Sequence, residues 1–80
     1  MDIAKELKQA HIELYGAKKN LKLLGEESVL LMEEYAKATD KEKPVIKEKM
    51  RESENKFNHL SQEVKALAEK VKKLKEQSKI

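Results

Sequence analysis

Two histidines, His11 and His59, are the side chains of this sequence best suited to moving a proton or holding a metal near neutral pH. Neither has a glutamate three positions before it, so the Glu-x-x-His arrangement by which helical bundles ligate paired metals is missing. No H-E-x-x-H and no G-x-S-x-G occurs. Two glycines cannot make a phosphate-cradling loop, and the absence of cysteine removes thiolate sites and disulfides. Carboxylates are plentiful, 15 Asp and Glu against 18 Lys and Arg. They stand among lysines as on a solvated helix face, whereas general acid–base catalysis needs carboxylates stripped of water. The expectation is a chain that is not an enzyme, with no cofactor, no metal site and no small-molecule substrate.

Phosphate neutralisation is the other chemistry to weigh. Lys65, Lys72 and Lys79 recur at seven-residue spacing, with Lys73 and Lys75 beside them. If the chain folds back on itself, Lys5 and Lys8 reach the same end, which becomes a candidate for RNA or DNA. Against it, the one arginine is Arg51, no aromatic stands among these lysines for base stacking, and the net charge is a mild +3. Lysines in the last turns of a helix also complement its dipole. Protein contact is therefore the favoured class and nucleic acid the alternative.

The elements that must position these residues are written in the spacing of apolar side chains. Ile3, Leu7, Ala10, Leu14, Ala17, Leu21, Leu24, Ser28, Leu31, Tyr35 and Ala38 follow one another at alternating steps of four and three. Ile46, Met50, Ser53, Phe57, Leu60, Val64, Leu67, Val71, Leu74 and Ser78 do the same. Eighteen of these 21 positions are apolar, in a chain that is 39% hydrophobic. Chance would place about eight there, so the heptad pattern outweighs the disorder that 41% charged residues would otherwise suggest.

The two seams are out of phase, and the slip falls in TDKEKPVIK, residues 39–47. Pro44 is tolerated in the first turn of a helix, and Thr39 and Asp40 are capping residues. The expected fold is all-α: an antiparallel two-helix coiled-coil hairpin in a single domain, residues 1–80. Its helices cover about 2–38 and 43–78, with a bend at about 39–43, and it is expected to pair into a larger helical bundle.

Folding about that bend sets Leu7 against Leu74, Ala10 against Val71, Leu14 against Leu67, Ala17 against Val64 and Leu21 against Leu60. Leu24 then meets Phe57, Leu31 meets Met50 and Tyr35 meets Ile46. The interior serines, Ser28 and Ser53, fall opposite each other, where each hydroxyl satisfies the other. Flanking positions pair Glu34 with Lys49, Glu27 with Lys56 and Glu13 with Lys70, and none of these repels. A parallel dimer is the rival arrangement, but it would bring Lys70 against Lys75.

The first helix carries apolar residues beyond its seam: Ile12, Tyr15, Gly16, Leu23, Val29, Leu30 and, at the flank, Met32. Such a stripe marks a contact surface for another protein or a second copy of the chain, with Gly16 allowing close approach. A break at Gly25 into three helices, folding the stripe inward, is a further reading. No apolar run suits a signal peptide or a membrane span, no tryptophan anchors a membrane-surface helix, and a cytoplasmic setting is expected.

In size and shape the chain resembles small helical hairpins: co-chaperone subunits of bacterial secretion systems, export adaptors and RNA-binding Rop-type dimers. The secretion-type subunit is the nearest in character, because one helix is amphipathic on two sides. The resemblance implies an adaptor or co-chaperone-like docking role and no residue-level assignment.

Overall fold

A computed structural model describes residues 2–79 as two long helices, α1 (Ile3–Lys37) and α2 (Lys43–Ser78), packed side by side and antiparallel. The body measures 61 × 15 × 14 Å, a rod about as deep as it is wide.

α1 begins where Asp2, in extended backbone, accepts a hydrogen bond from the Lys5 N–H at 3.3 Å, the usual work of an N-cap carboxylate. It ends at Lys37, because Ala38 turns to extended backbone while its N–H donates to the Tyr35 carbonyl at 3.2 Å. The helix is thus one residue shorter at each end than the sequence pattern suggests, those two residues being its caps. It runs unbroken through Gly25, whose φ is not positive, so the three-helix reading is excluded.

The bend differs in detail from expectation. Neither the Thr39 nor the Asp40 side chain accepts a backbone N–H of α2. Instead the Thr39 carbonyl accepts from Glu42 and Lys43, both at 3.0 Å, and its hydroxyl donates to the Glu42 carboxylate at 2.9 Å. Pro44 sits in the first turn, where its missing N–H leaves no bond unmade. The Lys43 ammonium lies 5.7 Å from the centre of the Tyr35 ring, which ties the start of α2 to the end of α1.

The register is the one in which serine faces serine. Ser28 Oγ and Ser53 Oγ are 3.1 Å apart, and Ser53 is 5% exposed. Toward the open end, Ala10, Leu14, Val71 and Leu74 form a buried cluster, with Ile3, Leu7, Val64 and Leu67 packed against it. Near the bend Leu31 and Ile46 are buried. Between these, Leu21, Leu24, Phe57 and Leu60 are only half-buried. The opposed charges at the flanks do not close into ion pairs. Among the described residues the ion pairs are local, Lys43 with Asp40 at 3.9 Å and Arg51 with Glu48 at 2.8 Å. Long, solvated side chains gain too little from an exposed pair to hold one geometry.

Candidate docking surface

α1 places Ile12, Tyr15, Leu23, Val29, Leu30 and Met32 in solvent, each between 53% and 73% exposed. α2 exposes one large apolar side chain to that degree, Val45 at 59%, just after the bend. Gly16 is half-buried, and nothing lies within 4 Å of where a Cβ would stand.

These residues do not lie along one line. Leu23 and Leu30 are one heptad apart and share a line with Gly16, whereas Tyr15 and Val29 lie on a line about 100° further round the helix. Tyr15 and Leu23 still border the same shallow hollow on the outer side of α1. Ile12 borders a separate hollow near the N-terminus, with Asp2 and Lys8. Gly16 reaches the flank occupied by Glu13, Asn20 and Glu63.

Val29 and Met32 meet something the seam pattern does not announce. They line a groove of about 470 Å³ whose other walls are Ser28 of α1 and Met50 and Phe57 of α2. Its floor lies beside Gly25, and Glu54 stands at its rim. Gly25 faces the groove and puts no side chain into it. A Cβ there would come within 3.9 Å of Phe57 Cε2. Met50 and Phe57 are seam residues in the sequence, but they remain half-buried here and offer their edges to the groove. The signal was available: the register that aligns Ser28 with Ser53 also sets Gly25 opposite Glu54.

The other candidate residues are dispersed. Lys5, Lys8, Lys65, Lys72, Lys73, Lys75 and Lys79 are all exposed, and the antiparallel fold brings those of both helices toward the open end. They do not share one side: Lys73 borders a hollow with Lys70 and Gln77, on the flank away from Lys72 and Lys75. His11 and His59 are exposed on different helices and on opposite flanks. Among the described residues no three His, Asp or Glu side chains are grouped so as to hold a metal ion. No helix among them is long and apolar enough to cross a membrane.

Fold and surface together define a class, the antiparallel helical hairpin with an apolar outer side on one helix. No known family, curated protein or solved structure matches the chain, so likeness adds nothing to that class.

Proposed function

We propose that the chain is a non-enzymatic interaction module, a small cytoplasmic adaptor or co-chaperone-like hairpin that docks a helix of another protein on the outer side of α1. One observation carries the reading: α1 leaves six large apolar side chains more than half exposed and α2 leaves one. A helix that needed only its seam partner would be polar on its other sides, as α2 is. Burying a leucine- or valine-sized side chain from water stabilises a complex by about 1.5–3 kcal/mol, so these residues are a large unspent source of binding energy. The groove beside Gly25 offers Val29, Met32, Met50 and Phe57 to the same or a neighbouring side chain of the partner.

The test is Leu23→Glu combined with Leu30→Glu. The variant should keep the helical signal in circular dichroism and lose the partner that the unaltered chain retains on an affinity column. Retention of the same partner by the variant would remove this face from consideration. Sedimentation equilibrium separates the remaining case: a tight dimer of the chain alone would mean that a second copy covers the stripe.

A further inference from the structure

The ionised side chains are not mixed evenly around the rod. The structure defines two flanks of the seam, one holding Gly25 and Glu54 and the other holding Glu13, Asn20 and Glu63. Following the helical period from Gly25, the first flank takes Lys8, Lys18 and Lys22 from α1. From Glu54 it takes Lys47, Arg51, Lys65, Lys72, Lys75 and, just past the helix end, Lys79 from α2. All nine are exposed. Glu54 is the one carboxylate at these positions, and Glu48 reaches Arg51 from the adjoining line at 2.8 Å. Half of the 18 cations thus stand at positions that hold one of the 15 acids, while the other nine cations are spread among the remaining fourteen acids. A net charge of +3 conceals this segregation.

We propose that this flank is a phosphate-binding face for a nucleic-acid duplex, a function beyond protein docking that shares with it the groove beside Gly25. The cations of α2 run from Lys47 to Lys79, about 48 Å of helix, and those of α1 form a second row beside them. A duplex presents about one charge per 1.7 Å of its axis, so a two-row cationic strip of this length lies within reach of several phosphates. Arg51 is held by Glu48 at 2.8 Å, whereas the lysines of the strip make no ion pair among the described residues. The chemistry is that of backbone contact without base reading. The strip has one arginine and no reading helix end, so it fits any sequence. Single strands would ask for a series of aromatics to stack on, and Tyr15 is the one exposed aromatic on this side. A membrane surface would ask for apolar side chains all along the cations, and here Tyr15, Val29 and Met32 stand on the α1 side alone, with none beside Lys65, Lys72 and Lys75 of α2. The α1 line of Leu23 and Leu30 lies off the strip.

The test uses the full chain and a fluorescent duplex DNA of about twenty base pairs, titrated at about 50 and about 200 mM salt. The unaltered chain should bind at the lower salt and lose affinity steeply at the higher. Lys72→Glu with Lys75→Glu should weaken binding about tenfold or more and reduce the salt slope by about two. Lys70→Glu with Lys73→Glu alters the same stretch of α2 by the same charge, on the opposite flank, and should change affinity less than about threefold. Circular dichroism checks that both variants stay helical. Equal losses in the two variants would reduce the effect to net charge and overturn the proposal, as would no duplex binding at the lower salt. Binding to vesicles containing phosphatidylserine but not to the duplex would also overturn it. Leu23→Ser with Leu30→Ser should leave duplex binding intact, so failure here and failure of the docking reading are seen separately.

Discussion

The two halves of the hairpin seam are built on different rules. Toward the open end, small residues face branched ones: Ala10 lies across from Val71 and Ala17 across from Val64, between leucine layers. There the helices come together, and Ala10, Leu14, Val71 and Leu74 are buried. Toward the bend, large faces large, with Leu21 across from Leu60 and Leu24 across from Phe57. These side chains are only half-buried, and a groove of about 470 Å³ opens beside Gly25. The difference teaches that a continuous heptad pattern specifies which faces meet and leaves open how closely. Alternating alanine accompanies close approach toward the open end, large facing large leaves apolar surface at Leu24 and Phe57, and burial resumes at Leu31 and Ile46 by the bend.

The comparison is broken most forcefully at the closely packed half. Leu14→Ala removes a 9%-exposed side chain from the buried cluster and should cost about 2–4 kcal/mol in urea unfolding, since the flanking alanines cannot move in to fill the space. Leu24→Ala, in the half-buried region, should cost about half as much. Equal losses would mean that the two halves are packed alike in solution and that the groove is closed there.

The serine layer, one step beyond Leu24 and Phe57 toward the bend, gives the next effect. Ser28→Ala strands the Ser53 hydroxyl, which is 5% exposed, and should cost about 1–2 kcal/mol. Ser53→Ala strands the half-buried Ser28 hydroxyl, which can turn to water, and should cost less. The double replacement by alanine should recover most of the loss. If Ser28→Ala costs nothing, the Ser53 hydroxyl has another acceptor, such as a carbonyl of the preceding turn, and the layer does not fix the register.

Most of the fold is legible in the sequence because it depends on phase. The slip between the seams locates the bend, and the single register that aligns Ser28 with Ser53 is the one that forms. The caps are less legible, since whether Thr39 offers its side chain or its carbonyl depends on the local path of the backbone. The docking surface is legible only in part. Exposure of Leu23, Leu30 and Tyr15 follows from their being off the seam. The participation of Met50 and Phe57 does not, because it depends on the distance between two helices. The charge segregation follows from register: Lys22 and Lys65 share a flank only once the antiparallel pairing is known.

The smallest expected effect bears most directly on why the bend half is open. A glycine inside a helix costs roughly 0.5–1 kcal/mol relative to alanine unless its backbone or its surroundings require it. Gly16 and Gly25 both have ordinary helical φ, and a Cβ would meet nothing at Gly16 and an ordinary contact, Phe57 Cε2 at 3.9 Å, at Gly25. Folding alone therefore favours alanine at both, and each single replacement should raise stability by about 0.5–1 kcal/mol in urea unfolding. The two should part in docking. Gly25→Ala places a methyl group in the groove between Val29 and Phe57, so a partner side chain that enters there should bind more weakly to a more stable protein. Gly16→Ala should gain the same stability and leave the groove untouched. A loss of stability at Gly25 would show that the helices lie closer than this packing allows, and unchanged docking in both variants would confine the partner to the line of Leu23 and Leu30.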